Sequence, residues 1–127
     1  MKITSFNPQI ITKDAEAVAK LFEEMGFEKR HNPKGIGDLD VTGIRMKDAN
    51  GFHVDVVSAD TAPIEKDLTS IRINVDDFDE AYQTFINNGF RESEAFGVHF
   101  TPSSKYAFLV SPSGFVVDLV KHIKKED

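Results

Sequence analysis

Asn50-Gly51-Phe52-His53-Val54-Asp55-Val56-Val57 and Ser113-Gly114-Phe115-Val116-Val117-Asp118-Leu119-Val120 are two copies of one stretch, identical at five of eight positions and 63 residues apart. Each is a turn residue and a glycine followed by a β-rich run with an acid at its centre. If the copies are symmetry mates, Asp55 and Asp118 are equivalent and face one shared cavity. The same offset carries Ile10 onto Ile73, Asp14 onto Asp77, Phe22 onto Phe85, Gly26 onto Gly89 and Phe27 onto Phe90. Chance matches would not fall on strand, helix start and helix stop alike, so the chain reads as a tandem repeat.

Between these marks, strand and helix periods alternate. Residues 5–12 read as a strand in which Pro8 removes a donor and marks an edge or bulge. A helix over about 14–25 follows, opened by Asp14, stopped by Gly26, with Ala15, Val18, Leu21, Phe22 and Met25 as its buried stripe. Residues 27–31 are a strand, 32–38 a loop and 41–47 a strand. Asp48-Ala49-Asn50-Gly51 then turns a hairpin into a strand over 52–58. After a polar connection over 59–67 the order repeats with a strand over 68–75. Asp76 and Asp77 open a helix lined by Phe78, Ala81, Tyr82, Phe85 and Ile86 and stopped at Asn88-Gly89. A strand over 90–94, a loop over 95–104 and a strand over 106–110 come next. Residues 111–114 turn into a last strand over 115–120, and the charged tail 121–127 frays. The class is α+β, two βαβββ modules of about 1–62 and 63–127 in a single domain.

Composition removes several kinds of function. A chain of 127 residues is an ordinary single-domain length, and 40% hydrophobic residues with eleven phenylalanines supply a core. Net charge is -6 with no long Lys/Arg block, which disfavours nucleic acid as a partner. No apolar run is long enough to span a membrane. Met1-Lys2-Ile3-Thr4-Ser5-Phe6 lacks the apolar core of a signal peptide, so a cytoplasmic protein is expected. The absence of cysteine excludes disulfides and thiol chemistry.

Strand alternation sorts the side chains. Phe52, Val54 and Val56 share one face, and His53, Asp55 and Val57 the other. In the last strand Phe115, Val117 and Leu119 oppose Val116, Asp118 and Val120. The phenylalanine faces suit packing under the helices. By the same parity Asn7 and Gln9 accompany Asp55, while Ser70, Arg72 and Asn74 accompany Asp118. These polar faces are either a solvated sheet surface or the wall of a binding cavity. Arg72 either neutralises an acid or anchors an anionic ligand, because its fork can pair a carboxylate bidentately. The apolar loop Ala95-Phe96-Gly97-Val98-His99-Phe100-Thr101-Pro102 closes over a ligand, packs at a dimer interface or plugs one end of the fold.

Two βαβββ modules, each ending in turn-Gly-x-x-x-acid, resemble the vicinal oxygen chelate superfamily, which includes glyoxalase I, bleomycin-resistance proteins, extradiol dioxygenases and methylmalonyl-CoA epimerase. The resemblance spans essentially the whole chain. It implies an open, curved, eight-stranded mixed sheet or barrel around a ligand cavity, with the helices outside, and in many members a homodimer. Enzymatic members hold a divalent metal with one residue from the first and one from the last strand of each module. Carried over by position, those residues are Asn7, Asp55, Ser70 and Asp118, where the family's usual set is His, Glu or Gln, His and Glu. Both histidines are replaced. The remaining donors are oxygens, which suit Mg²⁺, Ca²⁺ or Mn²⁺ more than Zn²⁺; should a metal be held, Asp55, Asp118 and His53 are its candidate ligands. The resemblance implies a protein that binds a small organic molecule, like the bleomycin-resistance members, without a cofactor. The alternative is a metal-dependent lyase, isomerase or dioxygenase with an oxygen-rich site. The expected ligand-contacting residues are Asn7, Gln9, His53, Asp55, Ser70, Arg72, Asn74 and Asp118.

Overall fold

A computed structural model describes residues 1–31, 41–59, 65–100 and 104–122. The loop expected over 32–38, residues 60–64 of the polar connection, Thr101-Pro102 and the tail beyond 122 lie outside the described residues. The elements are β1 (Ile3–Thr12), α1 (Ala15–Glu24), β2 (Glu28–His31), β3 (Val41–Lys47), β4 (His53–Ala59), β5 (Leu68–Val75), α2 (Phe78–Asn87), β6 (Arg91–Glu92), β7 (Val98–Phe100), β8 (Ser104–Val110) and β9 (Val116–His122). The offset of 63 residues carries α1 onto α2, β3 onto β8 and β4 onto β9 at both ends. The fold is the tandem βαβββ arrangement, with one strand added among the described residues.

The chain forms two compact units, Asn7–Thr69 and Met1–Phe6 with Ser70–Asp127. The division near residue 62 is that of the sequence repeat, and the compact units differ from it in placing residues 1–6 with the second. Two hydrogen bonds tie the first residues there: Lys2 N–H donates to the Asp76 carboxylate Oδ1 at 2.6 Å, and Asp76 N–H to the Lys2 carbonyl at 3.1 Å.

In the first unit the strand order is β2-β3-β4-β1, with β1 and β4 parallel and the other pairs antiparallel. Asp14 caps α1, its carboxylate accepting from the Ala17 N–H. Ala15 and Ala19 bring the helix onto Ile44, Met46, Val54 and Val56, with Val18 and Phe22 packed alongside. Leu21 and Met25, expected in the stripe, are 54% and 67% exposed. A helix of ten residues buries only the ridge 15, 18, 19 and 22, and Leu21 and Met25 fall on its flank.

In the second unit the order is β5-β9-β8-β6, with β7 also paired to β8. Phe78 and Ala81 of α2 pack on Ile73, Val75, Ala107, Leu109, Val117 and Leu119. Strand β7 corrects the expected loop over 95–104. Gly97, at φ 65°, turns Val98-His99-Phe100 back against β8, where Val98 faces Ala107 and His99 faces Tyr106. The described residues therefore contain nine strands rather than eight. Phe52 and Phe115 are a second correction, being 66% and 52% exposed instead of covered by the helices. Both close hairpin turns just ahead of their strands, their carbonyls accepting from Asp48 N–H and Ser111 N–H. No helix among the described residues is long and apolar enough to cross a membrane.

Candidate functional site

Each acid strand runs between two neighbours, so its central acid has a residue on either side. In the first unit the row is Gln9, Asp55, Arg45, from β1, β4 and β3. In the second it is Arg72, Asp118, Phe108, from β5, β9 and β8. Both rows sit on the face turned away from the helix, because Val54, Val56, Val117 and Leu119 belong to the helix-packed cores. The parity read from the sequence thus places all eight candidates on these faces, four in each unit.

Asp55 is buried at 3% exposure. Asn7 Nδ2 donates to Asp55 Oδ2 at 2.8 Å and to the Pro8 carbonyl at 2.9 Å. Two acceptors around that nitrogen fix the orientation of the amide. Asn7 Oδ1 is then a buried acceptor with no hydrogen-bond partner among the described residues. Arg45 Nη1 stands 3.8 Å from the same Asp55 oxygen, its side chain 26% exposed. Gln9 is buried beside them. His53 lies two residues before Asp55 on the same face, in register with Lys47. Burial, then the charges of Arg45 and Lys47, hold its imidazole below the ordinary histidine range against the opposing pull of Asp55.

In the second unit Ser70, Asn74 and Asp118 are buried, and Arg72 Nε donates to Asn74 Oδ1 at 3.3 Å. Beside Asp118 the surface turns aromatic. Phe96 and Phe108 approach to 4.8 Å between ring centroids, Tyr106 meets Phe108 edge-on at 6.0 Å, and His99 stacks on Tyr106 at 5.4 Å. His99 Nε2 also contacts the Phe96 carbonyl. Of the two phenylalanines in the stretch Ala95–Pro102, Phe96 is buried and Phe100 is 62% exposed.

No protein-family model matches this sequence, and no curated protein does. Solved structures do match. Methylmalonyl-CoA epimerase from Mycobacterium tuberculosis superposes with a TM-score of 0.70 at 12% identity, covering 96% of this chain and 90% of that one. A glyoxalase/bleomycin resistance protein/dioxygenase superfamily member from Vibrio splendidus gives 0.60 at 13% identity, covering 94% and 99%. The Streptomyces coelicolor epimerase in complex with 2-nitronate-propionyl-CoA gives 0.68 at 15% identity, covering 97% and 100%. The chain has the vicinal oxygen chelate fold.

The vicinal oxygen chelate resemblance assigns metal-ligand positions to Asn7, Asp55, Ser70 and Asp118, and the donor set there can be tested against a divalent ion. Asp55 Oδ2 already accepts from the Asn7 amide and faces a guanidinium at 3.8 Å. A fixed positive charge at that distance opposes a second cation. His53, the nitrogen candidate, stands among Arg45, Lys47 and Arg30. Among the described residues no three His, Cys, Asp or Glu side chains are grouped to hold a metal. These residues do not fit a divalent metal.

Sequence reading missed Arg45, Tyr106 and Phe108. The signal was present in the hairpins. Once Asp48 pairs with Phe52 across the turn, counting back places Arg45 opposite Asp55. The same count from Ser111 and Phe115 places Phe108 opposite Asp118.

Proposed function

We propose that this chain is a small-molecule-binding protein of the glyoxalase/bleomycin-resistance type. The candidate ligand contacts are Asn7, Gln9, His53 and Asp55 in the first unit, and Ser70, Arg72, Asn74 and Asp118 in the second. The observation that carries this reading is Asp55, a buried acid held by an amide and a guanidinium where metal-dependent relatives hold an ion. A buried ion pair contributes little net stability compared with apolar packing of the same volume. So many buried polar side chains on the face of each unit turned away from its helix are costly for the fold alone, and a ligand that uses them supplies the reason for their presence. The aromatic cluster around Phe108 and Tyr106 offers flat apolar surface beside the polar groups, the mixture that small-molecule sites show.

A thermal-shift screen against metabolites and antibiotics tests the reading, since a ligand that binds only the folded state raises Tm by mass action. A specific stabiliser whose effect weakens in Asp118→Ala is the expected outcome. A screen with no stabiliser counts against binding as the role. Likeness to methylmalonyl-CoA epimerases favours a second reading, an isomerase or lyase; turnover abolished by Asp55→Ala would establish it. We further propose a cytoplasmic homodimer, supported by exposed Phe6, Leu21, Met25, Phe52 and Phe100. Light scattering that returns a monomer mass at micromolar concentration would end that proposal.

A further inference from the structure

We propose that Arg45 is an anion anchor, and that the polar face of β3 and β4 takes the oxyanion group, carboxylate or phosphate, of a small acidic ligand. The inference rests on the binding reading above and narrows it to a ligand class. Its basis is the chain of contacts Asn7, Asp55, Arg45. Asn7 fixes the Asp55 carboxylate at 2.8 Å, and that carboxylate holds the guanidinium in place by charge. At 3.8 Å the Arg45–Asp55 pair is longer than an N–H···O hydrogen bond, so it leaves the guanidinium donors uncommitted to Asp55. A guanidinium has five N–H donors in a planar fork that matches an oxyanion. The Asp55 side chain is 4% exposed and that of Arg45 26%, so solvent reaches the arginine but not its partner.

Local charge agrees. The molecule carries -6 overall and would repel an anion at most of its surface. On this face Lys47 follows Arg45 along β3, and Arg30 lies close enough to act on His53. The opposing acids are Asp55 and Glu28; Glu28 is in register with Lys47 and 3.6 Å from Arg30. Three fixed cations against two carboxylates leave this strip positive. Arg72 of the second unit was the arginine to which the sequence pointed; it donates to Asn74, whereas Arg45 has the open side.

The test titrates acetate, succinate and inorganic phosphate separately into the full chain at constant ionic strength, with KCl as the blank, and reads Kd from Tm shifts or amide chemical shifts. At least one of these anions is expected to bind above the KCl blank. Its Kd weakens about tenfold or more in Arg45→Gln, is partly kept in Arg45→Lys, and is unchanged in Lys20→Gln, the same charge change on exposed α1 surface. Preference among the three anions separates carboxylate from phosphate. Arg45→Gln leaves Asp55 without its counter-charge, so Arg45→Gln/Asp55→Asn removes both charges and supplies a folded protein for the same titration. Equal affinity in the wild type and in these arginine variants overturns the proposal, as does the absence of any shift beyond KCl. Neutral compounds that stabilise wild type and Arg45→Gln alike would leave the binding reading standing and still refute an anion anchor.

Discussion

A carboxylate taken out of water must recover its lost hydration from fixed donors, and the deficit is several kcal/mol when it does not. Asp55 has a hydrogen bond from Asn7 and, at a longer distance, the positive charge of Arg45. Asn7→Ala removes the amide hydrogen bond to that buried oxygen, and we expect a loss of about 1–3 kcal/mol in chemical denaturation. Asn7→Asp should cost more, because it sets a second negative charge against the first. Asp76 is the converse case, exposed and held below the ordinary aspartate range chiefly by the Lys2 N–H. A depressed carboxyl stabilises the fold above its unfolded value, near 3.8, and that stability disappears as pH falls through the lower folded value. The Tm gap between wild type and Asp76→Asn should therefore be present at neutral pH and close as pH falls below 3.8. Strand parity revealed Asn7, Gln9, Asp55 and Asp118 in the sequence, since it needs only local alternation. Arg45 was hidden because its role depends on which strand lies beside β4, a pairing between segments.

The repeated elements fold alike because they carry the same punctuation. Asp48 and Ser111 each accept two backbone N–H groups inside their hairpin turns, and Gly51 and Gly114 each take positive φ. Gly26 and Gly89 end the two helices at φ 106° and 89°, where a side chain is strained. Alanine at Gly26 meets no atom within 4 Å, so its cost is the backbone strain alone, on the order of 1–3 kcal/mol. Alanine at Gly89 adds a 2.9 Å contact with Pro112 Cγ. Gly89→Ala should thus lower Tm more than Gly26→Ala; equal losses would show that Pro112 yields freely. Helices, turns and most strands were legible because caps and stops are local signals. Strand β7 was not, since Val98-His99-Phe100 is too short to show a period and is held by its pairing to β8. The exposure of Leu21 and Met25 was equally out of reach, as it depends on how much of the helix the sheet covers.

Across the molecule the tandem repeat gives each unit a buried acid on its polar face, and a neighbouring strand sets an arginine in register with it at positions the repeat does not relate, Arg45 on β3 in the first and Arg72 on β5 in the second. The boundary of the repeat in sequence differs from the boundary of the units, because residues 1–6 belong with the second unit. A chain beginning at Asn7 should therefore lose amide hydrogen-exchange protection in α2 more than in α1; the reverse order would contradict the assignment of those six residues. The buried Asp55 carboxylate has the chain's own amide and guanidinium around it in place of an ion. Elemental analysis of protein purified without chelator, in buffer containing Mg²⁺ and Mn²⁺, should find far less than one divalent ion per chain. One tightly held ion per chain that disappears in Asp55→Ala would contradict it.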